Sequence, residues 1–286
     1  MLVAEARSTD AEPAPSGSPP SESAAGTSAT PDEGAAETPA RLGSTRLPRK
    51  PLADIAGRPM VVRVVDQCVQ AKVHRVVVAS DADEVIGVVK QHGYEAVLTR
   101  ADHASGTDRI AEASAQLGIP DEDIVVNVQG DEPLIEPALI EALACKLADT
   151  PDAAMATAAH PIVDSQSMSN PHVVKVVLNY RDEAIYFSRC AIPFDRDHRR
   201  NACGQAMLRH VGIYAYRPPF LRRFPELSSP PLEQLEALEQ LRALWHGYRI
   251  VVYSMQAFAA PGVDSAEDLE RMRAHFRLLL PKPPSN

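Results

Sequence analysis

Four cations, Arg41, Arg46, Arg49 and Lys50, crowd into the segment PARLGSTRLPRKPL (39–52), with Gly43, Ser44 and Thr45 among them. Glycine permits a tight loop whose backbone N–H groups can cradle phosphate oxygens. Arginine adds a bidentate fork for phosphate, and lysine a compact point charge. A solvated basic loop is the plainer alternative, and the residues alone leave both readings open. Further on, IVVNVQGDEP (124–133) runs an apolar strand into Gln129, Asp131 and Glu132. In open α/β sheets ligands bind at the carboxyl ends of strands, and a carboxylate there suits Mg²⁺ with its preference for oxygen. An ordinary turn ahead of Pro133 is the competing reading. Asp264, in PGVDSAEDL (261–269), precedes a helix, where Asp is routine. It gains interest if the fold sets it beside Asp131, because two carboxylates and a triphosphate could then hold Mg²⁺.

Other polar residues are more equivocal. LRHVGIYAY (208–216) and EQLEALEQLR (233–242) supply Arg209, His210, Tyr214, Glu239 and Gln240, a mixed set of donors and acceptors suited to a polyhydroxylated acid. Core packing and solvation explain such residues equally well. In RADHASGTDR (100–109), Ser105 opens a helix and Arg109 follows it. Ser105 reads first as a cap, and beside a nucleotide both residues could contact it.

These residues need a scaffold, and 286 residues can bury a substantial core. A formal charge of −9 disfavours general affinity for nucleic acid or an anionic membrane, while leaving room for a local basic pocket. Cys68, Cys145, Cys190 and Cys203 are scattered, with no Cys-x-x-Cys pair, so free thiols are expected. No signal peptide and no run long enough to span a bilayer is visible, and a soluble, cytosolic protein without membrane insertion is expected. Residues 1–38 are rich in Ala, Pro, Ser, Glu and Gly and read as a disordered tail.

After the tail, short β-branched runs alternate with segments of helical period, the pattern of a mostly parallel sheet flanked by helices. Strands are expected at 74–79, 95–98, 124–129 and 154–158, and helices at 59–71, 82–91, 106–117 and 137–148. The second half reads as strands at 173–178, 184–187 and 208–216, an amphipathic helix at 233–245, a strand at 249–254 and a closing helix at 266–279. Ser265 with Asp268 has the spacing of a capping box.

Taken in order, PARLGSTRLPRKPL, TRADHASGTDR, VVNVQGDEP, NPHVVKVV, YFSRCAIPFDRD, RHVGIYAYR, LEQLRALW and GVDSAEDLER resemble the 3-deoxy-manno-octulosonate cytidylyltransferases, from about residue 38 to 276. The resemblance implies an α/β, Rossmann-like nucleotidyltransferase domain over 39–280. Its nucleotide-binding half would span about 39–150 and its sugar-binding and dimerisation part about 151–250, with a returning strand and C-terminal helix at 249–280. It implies a homodimer that uses Mg²⁺ and joins CMP from CTP to 3-deoxy-manno-octulosonate (Kdo) for lipopolysaccharide biosynthesis. Carried onto this chain, Arg41, Arg46 and Lys50 neutralise the triphosphate and the transition state. Leu42, Gly43, Ser44, Ser105, Arg109 and Gln129 lie on the nucleotide side, and Asp131 and Asp264 hold the metal. Arg189, His210, Tyr214, Glu239 and Gln240 match the sugar side.

Two features depart from that pattern. Relatives run an apolar first strand directly into Pro-Ala-Arg, whereas 33–38 here reads EGAAET, so the first strand is expected to be degraded. Met1, Leu2 and Val3 are the one apolar start, short and distant. Arg49 stands where a small residue is usual. An inactive paralogue lacking the first strand, or another acidic-sugar enzyme such as a CMP-sialate synthetase, stay open as alternatives.

Overall fold

The structure, a computed structural model, describes residues 2–7, 47–197, 207–255 and 262–279. Strand β1 (Leu2–Arg7) comes first, and the next element among the described residues is a 3₁₀ turn, Lys50–Leu52, ahead of a small hairpin, β2 (Asp54–Ile55) and β3 (Arg58–Pro59). Alternation follows: α1 (Met60–Cys68), β4 (Arg75–Ser80), α2 (Asp83–Gln91), β5 (Glu95–Leu98), α3 (Gly106–Leu117), β6 (Asp123–Val128), α4 (Pro137–Ala148) and β7 (Met155–Pro161). The second half adds α5 (Ser165–Ser169), β8 (Lys175–Leu178), β9 (Ala184–Ser188), β10 (Leu208–Tyr216), α6 (Pro218–Arg223) and α7 (Pro231–Glu236). It ends with α8 (Gln240–Trp245), β11 (Ile250–Ser254) and α9 (Ala266–Leu279).

One sheet runs in the order β11-β7-β10-β6-β1-β4-β5, with β8 joined to β10 and β9 to β8. Strand β11 is parallel to β7, and β4 to β5, while β10 is antiparallel to both of its neighbours β6 and β7. The expected mixed sheet is present, but its pairing is not mostly parallel: among the described strands β11, β7, β6, β4 and β5 share one direction, while β10 and β1 run against them and make the ladders between antiparallel. Every residue of β6 is buried, as a strand covered on both faces requires. On one face Val62 and Val65 of α1, Val85 and Val89 of α2, and Leu139 and Leu143 of α4 join the core. Ile110 of α3, Leu221 of α6 and Leu241 of α8 cover the other. Each such side chain, once fully buried, contributes about 1.5–3 kcal/mol. A third cluster packs Leu269, Met272 and Phe276 of α9 against Ile55, Met60 and Val263. It carries the segment before α9 to the rim of the sheet.

Two further expectations are corrected. The sheet has its first strand: Leu2–Arg7 lies between β6 and β4, antiparallel to both. Leu2 faces Val128 and Val78 across the ladders and is fully buried, so these residues are not part of a disordered tail. The physical reason is the slot itself. Strands β4 and β6 would otherwise each present a row of unpaired backbone groups, and those rows accept a partner of either polarity. The other correction concerns 233–245, which is two helices rather than one. Ala237, left-handed at φ 49°, separates α7 from α8, leaving Leu235 exposed while Leu238 and Leu241 are buried.

Candidate functional site

Arg49 and Lys50 enter the site through a left-handed turn. Arg49 has φ 56° and ψ 29°, a conformation that favours glycine, and its guanidinium pairs with Glu84. The turn delivers the Lys50 ammonium to the carboxyl edge of β6. There its Nζ donates to Asp131 Oδ2 at 2.6 Å and to Asp264 Oδ1 at 3.0 Å, across 81 and 214 residues of sequence. Burial alone would lower the lysine, but the two carboxylates outweigh it and hold the ammonium above its ordinary value.

Backbone packing places Asp264. The Val263 N–H donates to the Asp131 carbonyl at 2.9 Å, and Gly262 packs beside it, where a Cβ would stand in contact with that carbonyl at 3.4 Å. Ser265 and Asp268 form the expected reciprocal cap, with the Asp268 N–H donating to Ser265 Oγ at 3.1 Å and the Ser265 N–H to Asp268 Oδ2 at 2.8 Å. Beside this pair, burial first and then the charges of Asp131 and Asp264 push Glu132 up to about 8. Gln129 lies in the same turn, where its carbonyl accepts from the Glu132 N–H at 3.3 Å.

The first turn of α3 connects that edge to the second half of the fold. Ser105 caps the helix: its Oγ accepts from the Asp108 N–H at 3.1 Å, and its own N–H donates to Asp108 Oδ2 at 3.0 Å. Arg109 is buried and donates to Thr99 Oγ1 at 2.7 Å and Asp81 Oδ2 at 3.0 Å, tying α3 to the ends of β5 and β4. Thr107 donates from its hydroxyl to Glu239 Oε1 at 2.9 Å, and Arg242 pairs with Glu233 through two bonds of 2.8 and 2.5 Å.

On the sugar side of the expected site, the ring of His210 packs between Phe187 and Tyr214, at centroid distances of 5.0 and 5.4 Å. Its Nε2 lies 2.9 Å from Thr157 Oγ1. Burial pushes His210 down to about 3, so the ring is neutral at physiological pH. Burial raises the Glu239 carboxyl and drives the Tyr214 phenol well above its ordinary range. Gln240 is buried, and its Nε2 has no hydrogen-bond partner among the described residues. Arg189 donates to backbone carbonyls: Nε to Glu236 at 2.6 Å, Nη1 to Pro171 at 3.1 Å and Nη2 to Ala237 at 3.3 Å. These bonds brace the left-handed turn at Ala237.

Among the anticipated residues, Lys50, Asp131 and Asp264 thus come together, His210 meets Tyr214, and Glu239 reaches the helix opened by Ser105. Arg41, Leu42, Gly43, Ser44 and Arg46 lie outside the described residues. Reading the sequence placed Glu132 at the strand end without a role, and missed Gly262, Thr107 and also Lys175, whose fully buried ammonium donates to three backbone carbonyls, those of Asn170, Val173 and Arg189. A lysine inside the apolar run VVKVV was the available signal for the last. No local signal distinguishes Thr107 from any other threonine in a first helical turn.

Asp131 and Asp264 suit a divalent cation by their geometry, since both offer an oxygen to one cationic nitrogen. Among the described residues no group of three or more His, Cys, Asp or Glu side chains forms a metal site. The pair would supply two ligands, and the remainder would come from water and a phosphate-bearing substrate.

Comparison with known proteins bears on this geometry directly. A cytidylyltransferase family model matches residues 38–250. The chain is 55% identical over 255 residues to the 3-deoxy-manno-octulosonate cytidylyltransferase of Verminephrobacter eiseniae (strain EF01-2), an alignment spanning 85% of this chain and 93% of the relative. Its fold matches a solved CMP:2-keto-3-deoxy-manno-octonic acid synthetase complexed with CTP, with TM-score 0.77 and 42% identity over 84% of this chain and 97% of that one. A cytidylyltransferase from Leptospira borgpetersenii shares the fold alone, with TM-score 0.55 and 16% identity over 85% of each chain. With Leu2–Arg7 in the sheet, the case for a damaged paralogue loses its motive, and the chain belongs to the cytidylyltransferase family, among the 3-deoxy-manno-octulosonate cytidylyltransferases.

Proposed function

We propose that this nucleotidyltransferase transfers CMP from CTP to Kdo, giving CMP-Kdo and pyrophosphate, as a cytosolic homodimer that uses Mg²⁺. The observation that carries the reading is the convergence of Asp131 and Asp264 on Lys50 at the carboxyl edge of β6. Two carboxylates and a cation held at that edge suit a triphosphate whose charge must be neutralised. The anomeric hydroxyl of Kdo attacks the α-phosphorus in line, and the bond to the bridging oxygen breaks as pyrophosphate leaves. Such chemistry depends on positioning and charge neutralisation.

Lys50, with Arg41 and Arg46, neutralises the triphosphate and the charge that develops on the departing pyrophosphate. Leu42, Gly43 and Ser44 supply loop N–H groups, and Gln129 lies by the nucleotide. Ser105 and Arg109 act through the placement of α3, since both side chains are engaged in holding that helix. Asp131 and Asp264 hold Mg²⁺, which when bound supplies charge neutralisation at the phosphates. On the acceptor side, neutral His210, Tyr214, Glu239 and Gln240 meet the hydroxyls and carboxylate of the sugar acid, while Arg189 shapes their turn. The partnerless amide of Gln240 favours a polar ligand there. Ile185, Phe194 and Leu235, all exposed in one chain, favour a homodimer that covers apolar surface. No helix of the described residues is long and apolar enough to cross a membrane.

Pyrophosphate release from CTP and Kdo with Mg²⁺ tests the proposal, with the other nucleoside triphosphates and sialic acid as controls. Release should require both CTP and Kdo. Equal release with sialic acid, or none with Kdo from folded protein, would remove it.

A further inference from the structure

Thr107 occupies a turn that touches both halves of the fold. Arg109, two residues on, grips the strand ends of the nucleotide half, while Thr107 faces the other way, toward β10 and α8. The residue is 1% exposed. Its hydroxyl lies 2.9 Å from Glu239 Oε1 and 3.1 Å from the Tyr216 phenol oxygen, partners 132 and 109 residues away. A carboxylate only accepts, so Thr107 donates to Glu239, and Tyr216 in turn donates to Thr107. Direction is therefore fixed along the relay from Tyr216 through Thr107 to Glu239. Burial and the Glu239 charge keep the Tyr216 phenol protonated, as a donor must be.

Glu239 needs such a restraint. It is the N-cap residue of α8, a helix of six residues, and it follows the left-handed Ala237 by two positions. A short helix beginning just after a break does little to fix the side chain at its cap. The second carboxylate oxygen, Oε2, has the Thr107 N–H at 3.5 Å, too long to use it up, and the Ser105 hydroxyl also reaches the carboxylate, with acceptor capacity left over. Gln240, the next residue, holds an amide nitrogen with no partner.

We infer that Thr107 is a positioning residue for the acceptor: its hydroxyl holds Glu239 by Oε1 and leaves Oε2 for a hydroxyl of the incoming sugar acid. The inference rests on the reading of Glu239 as a sugar-side group. It assigns acceptor affinity to a residue of the nucleotide-side segment RADHASGTDR, and it predicts a split between the two substrates. Loss of the hydroxyl leaves the carboxylate free to turn, which weakens Kdo binding, whereas a residue only 1% exposed offers CTP little to contact directly.

Thr107→Val keeps the shape and removes the hydroxyl, and Thr107→Ser keeps the hydroxyl and removes a methyl. Steady-state KM values for Kdo and for CTP are measured separately on both variants and the parent, with thermal midpoints alongside. Thr107→Val should raise the Kdo KM about tenfold or more with the CTP KM within about twofold, and Thr107→Ser should restore the Kdo KM to within about threefold of the parent. Unchanged KM values in Thr107→Val overturn the inference. So do equal rises in both KM values, or a failure of Thr107→Ser to rescue, since a merely structural role gives those results. If Thr107→Val does not fold, Tyr216→Phe, which removes only the outer donor, must raise the Kdo KM selectively by a smaller factor. A parent protein that releases no pyrophosphate with Kdo instead removes the sugar-side reading of Glu239, and the inference with it.

Discussion

At the scale of single residues, charge and backbone conformation make distinct demands on the cation loop. Arg49 pays a conformational cost of about 1–2 kcal/mol for φ 56°, offset by an exposed pair with Glu84 worth about 0–1 kcal/mol. Arg49→Gly should therefore raise the denaturant midpoint, by roughly 0.5–1 kcal/mol of stability. A lowered midpoint would show that the pair with Glu84 contributes more than its exposure suggests. Asp131→Asn preserves shape while removing one of the two charges that meet Lys50, so turnover should fall by about 10²-fold or more with the thermal midpoint little changed. Retained activity at low Mg²⁺ would refute the metal role given to Asp131. His210 supplies the pH dependence. Its native value near 3 lies below the ordinary 6.5, so between those values the unfolded chain binds the additional proton. Stability present above pH 6.5 is then lost as the pH falls toward 3, at up to about 1.4 kcal/mol per pH unit. His210→Gln removes that sensitivity. The stability gap between parent and variant should narrow from pH 7.5 to 4.5 by chemical denaturation, and a constant gap would refute the assignment.

At the scale of elements, α3 shows how one helix start can position several parts of a site. Its capping box fixes the first turn, from which Arg109 reaches Asp81 and Thr99 while Thr107 reaches Glu239. Ser105→Ala should cost about 1 kcal/mol by removing the acceptor for the Asp108 N–H, measurable as a lower thermal midpoint. No loss would mean that Asp108 holds the turn unaided. Much of this level was legible in the sequence, because period, caps and strand-end acids are local signals. The segments 106–117 and 137–148 form helices as their patterns required, and Ser265 caps α9 as its spacing required. The break at Ala237 was not legible. Its cause is distant in sequence: Arg189 donates to the carbonyls of Glu236 and Ala237, and Glu239 is drawn to Thr107. No residue type in LEQLEALEQLR forbids a continuous helix, so tertiary contacts decided it.

At the scale of the whole molecule, the central slot of the sheet shows where sequence reading had least purchase. Relatives run their first strand straight into the cation loop, which points to the residues just before Pro39. The chain instead fills the slot with Leu2–Arg7, and strand polarity depends on closure across the fold rather than on the composition of LVAEAR. The antiparallel register makes a sharp prediction. Leu2 lies opposite Val128, whereas Asp123 lies opposite Arg7 at the other end of the same ladder. Directly opposed residues of antiparallel strands have Cα atoms about 4.5–5.5 Å apart, within the span of a disulfide. A Leu2→Cys, Val128→Cys protein refolded under mild oxidant should therefore form that crosslink, detected by peptide mapping against the four native cysteines. Leu2→Cys with Asp123→Cys should not crosslink, because the strand length separates the two ends. A parallel strand would reverse the two results, since its Leu2 would then sit near the start of β6. Crosslinking of neither pair would mean that this segment does not occupy the slot, leaving β4 and β6 to find another partner.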